Sequence, residues 1–444
     1  MAAGANLGVA LLIALLYTPV VLLNLPLGIA LWVVLVSVEN LQVVSVGPLV
    51  TTLLIGVVWF GSLRASGSET LALVRLHRRE ITVVGLLLVW LTLSYLWADT
   101  PSLVWALLWQ WLLAGLVFLV LATSLRTERE IQIVVVAFVV GTTLSVIIGL
   151  IANDFSSAET ARQAAFDQGT RAQGGNGDPN FLAAGVVAAL ALVSGLVASR
   201  RGPLAGLALL VATFILAVGF AAAESRGALA GAAVAIVAAL FVYSGRRGWV
   251  IAFSAFAVAA SACWFVAYPD AWHRISHFNN EGNGREEYWR IAWEIGTDYP
   301  IAGVGLNNYL AVSPKYVRRP GSLKFVEIIA DKPHVAHNTY LQLFAEAGVV
   351  GLALFLLVLA GSFRAAWLAG RRFDARGSPG LAALARAVLV ASIGMACTSV
   401  FISNGGDKRL WILLALGPAL AVAAERMPQS RGGVLTASPN MPTP

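Results

Sequence analysis

Long uninterrupted apolar segments recur along almost the whole chain and constrain its fold more than any other feature. Each is about 20 residues long, the length at which an α-helix crosses a hydrocarbon core of roughly 30 Å. The segments are continuous rather than alternating, which excludes a transmembrane β-barrel. Hydrophobic residues make up 58% and charged residues 12% of the 444 positions, whereas soluble domains carry about 25% charged residues. The sequence therefore predicts an all-α polytopic membrane protein.

Short basic segments between the apolar runs predict the orientation of the helices. They are RLHRRE (75–80), SLRTERE (124–130), SRRG (199–202), GRRG (245–248) and GRRFDARG (370–377). By the positive-inside rule, such loops lie in the cytoplasm. The connecting segments between them, above all the long segment 269–346, must then lie on the opposite side.

The apolar segments divide the chain into spans and one large loop. Candidate spans lie at 81–98, 102–123, 131–152, 181–198, 204–223, 227–244, 249–268, 347–369, 381–402 and 410–424. Residues 1–63 could hold two or three more, and two would give twelve crossings. We therefore expect N-terminal membrane helices over 1–268, a partly helical periplasmic loop over 269–346, C-terminal membrane helices over 347–424 and a disordered cytoplasmic tail over 425–444.

Arg226 is the first candidate site residue, because it lies in a tight turn between two apolar runs. The turn, ESRGAL (224–229), holds its side chain close to the bilayer. Placing an arginine at the centre of a span costs about 2.5–3.5 kcal/mol, so ionisable residues near this depth usually serve a function. The alternative is a snorkelling arginine paired with Glu224.

Three further arginines are candidate anion ligands on the same side. Arg285 and Arg290 belong to REEYWRIAWEIG (285–296), where apolar residues at helical spacing predict a short amphipathic helix. Glu286 precedes Arg290 by one helical turn, so a helix salt bridge is the alternative for Arg290. Arg171 precedes the turn-forming segment GGNGDPNFLA (174–183), and its alternative is a solvated loop arginine.

His337 is the candidate general base. It stands in HVAHNTYLQLFAEAG (334–348), where Asn338 or Thr339 could cap a helix. An imidazole titrates near neutrality, which suits proton abstraction from a hydroxyl group. The alternative is a hydrogen-bonded interfacial histidine, and that alternative fits His334 better.

The sequence contains no D-x-D, HExxH, Walker or GxSxG motif. Without clustered carboxylates we expect no Mg²⁺ or Mn²⁺ site, and no cofactor. Several arginines and one histidine above a membrane domain suit glycosyl transfer from a lipid-linked diphosphate sugar, because guanidinium groups stabilise the departing diphosphate. We expect no nucleic-acid partner.

Three segments together resemble the O-antigen ligase superfamily, which also contains O-antigen polymerases and protein O-oligosaccharyltransferases. They are SRGALAG (225–231), GREEYWRIAWEIGTDYPIAGVGLNNY (284–309) and HNTYLQLFAEAGVVGLALFL (337–356). The family elements P-x-x-G-x-G-x-x-x-[FY] and H-N-x-Y/F-L match at 300–309 and 337–341, and the likeness covers roughly 160–360.

The resemblance implies a GT-C-like glycosyltransferase with about 12 transmembrane helices in the inner membrane of a Gram-negative bacterium. It implies metal-independent, inverting transfer of O-antigen polysaccharide from undecaprenyl diphosphate to the lipid A–core oligosaccharide at the periplasmic face. His337 falls on the family's base, and Arg226, Arg285, Arg290 and Arg171 fall on its diphosphate ligands. Polymerase and protein O-oligosaccharyltransferase activities stay open, whereas charges clustered on one face argue against a polysaccharide or lipid transporter.

Overall fold

The computed structural model describes residues 15–39, 47–65, 72, 75–152, 171–199, 202–276, 285–319 and 335–427. All regular secondary structure in these residues is helical. The principal helices are α1 (Leu25–Val36), α2 (Gly47–Ala65), α3 (Arg78–Leu93), α4 (Pro101–Ser124), α5 (Glu128–Ala152), α6 (Pro179–Ser199), α7 (Pro203–Ala222), α8 (Arg226–Val242), α9 (Arg247–Ala267), α10 (Pro269–Ser276), α11 (Arg285–Asp298), α12 (Tyr309–Val317), α13 (Thr339–Ala375), α14 (Pro379–Thr398) and α15 (Lys408–Arg426).

Eight helical segments in the described part of the chain are long and apolar enough to cross a membrane. They are Arg78–Leu96, Pro101–Ser124, Glu128–Ala152, Pro179–Ser199, Pro203–Ala222, Ser244–Ala267, Thr339–Ala375 and Pro379–Thr398. Shorter apolar helices lie at Leu25–Val36, Leu49–Ser62 and Arg226–Val242. The chain is thus an all-helical, multi-pass membrane protein, and the count of twelve crossings stays a prediction.

The predicted spans agree with the observed helices within a few residues except at 347–369. There α13 begins earlier, at Thr339, and its backbone breaks at Gly348, which has φ 65° and ψ −168°. The segment before the break is a short helix that carries polar residues, and the apolar pattern starts only after it. The predicted boundary between loop and C-terminal helices therefore falls beside this break.

Helices α6 and α14 form the centre of the membrane domain, and α14 packs against α6, α8, α13 and α15. Small residues on these helices permit the close approach of their backbones. A Cβ atom at Gly195 of α6 would lie 2.6 Å from the Cβ atom of Ala387, and one at Gly231 of α8 would lie 2.3 Å from Cγ2 of Thr398. Membrane helices associate through such small-residue contacts because lipid tails give no hydrophobic drive between them.

The large loop is ordered where the structure describes it. Helix α11 buries Tyr288, Ile291, Ala292 and Ile295, the apolar face that the sequence predicted. This face joins a second hydrophobic cluster, which includes side chains of α12, and α11 also packs on α13. The short helices expected in this loop are therefore confirmed.

The segment 300–309 forms backbone hydrogen bonds with α13 beside its break. The N–H groups of Val304 and Gly305 donate to the carbonyl oxygens of Ala345 and Glu346 at 3.0 and 2.8 Å. Gly303 has φ +66°, and a Cβ atom there would lie 2.3 Å from the carbonyl carbon of Glu346. Glycine adopts this conformation without strain, and only a residue without a Cβ atom allows this close approach, which gives the P-x-x-G-x-G-x-x-x-Y element a structural reason.

Candidate active site

Asn338 caps α13 and places His337 at its start. The Asn338 Oδ1 atom accepts hydrogen bonds from the N–H groups of Tyr340 and Leu341, each at 3.0 Å. The predicted cap is therefore confirmed, with Asn338 as the capping residue. His337 precedes the cap and has φ +49°, a left-handed backbone that few residues other than glycine adopt. The turn that carries His337 is thus fixed by the hydrogen bonds of its neighbour.

The imidazole of His337 lies against the helix that carries Arg285. Its ring centroid is 6.1 Å from that of Tyr288, with the two planes tilted by 56°. Tyr288 is buried, and its carbonyl oxygen accepts a hydrogen bond from the Tyr309 hydroxyl at 2.9 Å. Because Arg285 lies three residues before Tyr288, this contact connects the candidate base to a candidate diphosphate ligand.

Arg226 is the first residue of α8 and is exposed. The preceding residue, Ser225, is the N-cap, and its hydroxyl accepts from the Ala228 N–H at 3.3 Å. Glu224 has φ +45°, so the turn is sharp. The cap and the turn together fix the backbone from which the Arg226 side chain extends.

Arg226 and Arg285 lie close enough to interact electrostatically, although they are far apart in the sequence. Burial lowers the pKa of the Arg285 guanidinium, the Asp178 carboxylate opposes this shift, and the Arg226 guanidinium adds to it. Arg285 is half-buried and Arg226 is exposed, and an anion bound between them would offset their repulsion. Guanidinium groups bind phosphate oxygens in a planar, bidentate geometry.

Arg171 is buried and holds the backbone of this site. Its Nε atom donates to the Ala223 carbonyl oxygen at 2.9 Å, and its Nη2 atom donates to Asn180 Oδ1 at 3.1 Å. The Ser225 hydroxyl donates to the same Asn180 oxygen at 2.8 Å. Arg171 thereby ties the turn before Arg226 to the start of α6, and a direct contact with a diphosphate stays a prediction.

The remaining two predicted residues are Arg290 and His334. Arg290 is exposed on α11, five residues after Arg285, and its role as a diphosphate ligand stays a prediction. His334 lies outside the described residues.

Sequence reasoning missed the residues that support the site from other helices. Asp178 caps α6 by accepting from the N–H groups of Asn180 and Phe181 at 2.7 and 3.1 Å, and it faces Arg285. Asp407 caps α15 and forms a buried ion pair with Arg409. Both aspartates precede an apolar run, which is a recognisable capping signal. Their charge partners, however, depend on tertiary contacts.

Among the described residues, no group of three or more His, Cys, Asp or Glu side chains could hold a metal ion. Metal independence stays a prediction.

Residues 211–356 match the family model described as O-antigen ligase. The match covers about a third of the chain, and this region is therefore similar to the O-antigen ligase family. The match confirms the resemblance of the three sequence segments, and it contains Arg226, Arg285, Arg290 and His337. Arg171 lies before it. Members of this family are glycosyltransferase-like enzymes that act on glycans. A comparison with curated proteins found no match for the chain.

Proposed function

We propose that the chain transfers O-antigen polysaccharide from undecaprenyl diphosphate to the lipid A–core oligosaccharide, at the periplasmic face of a Gram-negative inner membrane. The observation that carries the proposal is the electrostatic interaction of Arg226 with Arg285 on α11, the helix that His337 contacts through Tyr288, within the region that matches the O-antigen ligase family. Two cations suit the donor's diphosphate, and one imidazole suits the acceptor's hydroxyl group.

The chemistry is one displacement at the anomeric carbon. His337 takes the proton of the acceptor hydroxyl, whose oxygen forms the new glycosidic bond as the bond to the diphosphate breaks. The electron pair of that bond leaves with undecaprenyl diphosphate. Arg226 and Arg285 stabilise the growing negative charge, the work that a metal ion does in other enzymes. Attack opposite the leaving group inverts the anomeric configuration.

The membrane orientation supports this assignment, because the positive-inside rule puts α11 and His337 on the periplasmic side. The test is single cysteines at exposed positions, Glu286→Cys and Arg318→Cys, in a background without Cys263 and Cys397. An impermeant maleimide should label both in intact spheroplasts and should label the exposed Arg371→Cys control only after lysis. The opposite pattern would reverse the orientation.

Deletion of the gene tests the reaction against the related activities. A ligase predicts loss of the polysaccharide ladder with intact lipid A–core. A single-repeat band would instead indicate a polymerase, and unchanged lipopolysaccharide with loss of glycosylated protein would indicate a protein O-oligosaccharyltransferase. Purified enzyme should transfer glycan at an unchanged rate in excess EDTA, and a requirement for added Mg²⁺ or Mn²⁺ would contradict the arginine-only mechanism.

A further inference from the structure

A polar cavity of about 480 Å³ lies beside the start of α13, among residues to which sequence reasoning gave no role. It is lined by side chains from α2, α4, α6, α13 and α15, by Glu39 and by the segment 403–407 that precedes α15. Gln342 and Glu346, one helical turn apart on α13, are both buried. The volume falls in the range of small-molecule sites.

Three polar atoms of the lining residues have no hydrogen-bond partner in the described part of the chain. They are Oε1 of Gln342, Oγ of Ser403 and Nδ2 of Asn404, and Asn404 is only 2% exposed. An unpaired buried polar atom costs about 1–3 kcal/mol. One acceptor, one donor and one hydroxyl, all lining the same cavity, are the groups that a polyhydroxyl ligand would satisfy.

The charges of the cavity disfavour an anionic ligand. Glu39, Glu346 and Asp407 supply three carboxylates to the lining. Its two cations are already paired, Lys408 with Glu39 and Arg409 with Asp407. The Glu346 carboxylate accepts hydrogen bonds from Gln342 Nε2 and from the backbone N–H groups of Asn307 and Tyr309. A phosphate group entering this cavity would find both lining cations already paired with carboxylates.

Aromatic side chains complete the lining. Trp109, Trp111 and Phe181 border the cavity. Aromatic faces pack against the C–H groups of a sugar ring, while the polar atoms bind its hydroxyl groups. We propose that this cavity binds a neutral sugar unit of the glycan acceptor, an inference that rests on the proposed function.

The cavity and His337 share the start of α13. Thr339 lines the cavity, follows His337 by two residues, and donates from Oγ1 to Asn404 Oδ1 at 2.9 Å. Its N–H group donates to the carbonyl oxygens of Ser399 and Ile402 at 2.9 and 3.0 Å. A sugar held by Gln342, Ser403 and Asn404 thus occupies a fixed position relative to the base.

Ser403→Ala is the sharpest test, because the serine hydroxyl has no protein partner to lose among the described residues. The matched control is Ser362→Ala, which removes another buried hydroxyl that is unpaired in the described residues but does not line the cavity. Binding of delipidated core oligosaccharide to the full chain in detergent is measured by saturation-transfer NMR without donor. The acceptor and donor KM values are then measured in the transfer assay.

We expect Ser403→Ala to raise the oligosaccharide Kd and the acceptor KM about three- to tenfold, the effect of one hydrogen bond. The donor KM, the thermal midpoint and the Ser362→Ala control should not change. Trp109→Leu, a second variant, should also weaken oligosaccharide binding. The inference is overturned if the wild-type chain binds no oligosaccharide, if Ser403→Ala binds like the wild type, or if Ser362→Ala shows the same loss. Binding that depends on Ser403 without any transfer would keep the cavity and overturn the proposed function instead.

Discussion

Two pairs of arginines near the start of α6 differ in how their charges are held. Arg171 and Arg409 are buried, 7% and 6% exposed, and their guanidinium groups bind protein oxygens. Arg409 pairs with Asp407 and also donates from Nη1 to the Phe181 carbonyl oxygen at 3.2 Å. By contrast, Arg226 is exposed and Arg285 half-buried, and the charge of each repels the other.

This difference separates two uses of the same side chain. A buried arginine with protein partners fixes the backbone, and removal of its partner leaves an uncompensated charge. The Arg226 charge disfavours the Arg285 charge and Asp178 opposes this effect, so a bound diphosphate would further offset the repulsion between the two arginines. The first pair should therefore affect folding, and the second should affect donor binding.

The largest expected effect comes from the candidate base. His337→Ala should lower the transfer rate by about 10²- to 10⁴-fold, the usual contribution of general-base catalysis. Donor affinity and thermal midpoint should stay near the wild-type values, because Asn338 and not His337 caps α13. The matched control, His334→Ala, should retain activity. Normal transfer by His337→Ala would show that another group takes the proton.

The second-largest effect is expected from removal of the Arg226 guanidinium. Arg226→Ala should lower transfer by about 10²- to 10³-fold, as loss of one group that stabilises developing charge does. Arg226→Lys should recover little, because an ammonium group lacks the fork geometry of guanidinium. The exposed Arg318 is the control, and Arg318→Ala should be nearly silent. Wild-type activity of Arg226→Ala would return this arginine to a salt bridge with Glu224.

Loss of the buried Asp407–Arg409 ion pair should lower the stability of the protein rather than donor binding. Asp407→Asn leaves the Arg409 guanidinium buried beside a neutral amide, and breaking a buried ion pair costs about 3–5 kcal/mol. Both side chains are 7% exposed, so bulk water solvates the remaining charge poorly. The measurement is the free energy of unfolding, or the thermal midpoint, of purified protein in detergent. An unchanged midpoint would remove the distinction between the two pairs of arginines.

The smallest effect should come from an exposed ion pair of the large loop. Hydrogen bonds from Arg319 and Tyr316 hold the pKa of the Asp298 carboxyl below its usual range. A depressed folded-state pKa contributes stability above the unfolded pKa, and this contribution is lost as the pH falls through the folded value. Asp298→Asn should thus lower the midpoint slightly at neutral pH and not at strongly acidic pH. High salt should shrink the difference, because exposed pairs are screened. A loss as large as that of Asp407→Asn would contradict this ordering.

Much of the membrane domain could be predicted from the sequence, because bilayer thickness and apolar run length fix each span almost independently. Helix α6, predicted at 181–198, is observed at Pro179–Ser199. Apolar run length did not predict the early start of α13, whereas the capping signal at Asn338 and Thr339 did. The break at Gly348 and the backbone contacts of the polar segment with residues 300–305 could not be predicted. Such contacts leave no periodic signal.

The sequence likewise predicted only part of the candidate site. His337 and Arg226 are predicted site residues because each stands out from its local sequence, an imidazole before a capping residue and a charge between two apolar runs. The scaffolding contacts of Arg171 and the cavity around Gln342 were not found. Both depend on partners more than 40 residues away, Ala223 for Arg171 and Asn404 for the cavity, and neither follows from a local pattern.

The most direct test of the account is the affinity of the full chain for undecaprenyl diphosphate, measured for the wild type, Arg285→Ala and His337→Ala. Hydrogen bonds to charged groups contribute about 1.5–3 kcal/mol, so Arg285→Ala should raise the Kd about 10- to 150-fold. His337→Ala should bind the donor like the wild type. Wild-type affinity in Arg285→Ala, or an equal loss in both variants, would contradict the division between arginines that bind the diphosphate and a histidine that removes the proton.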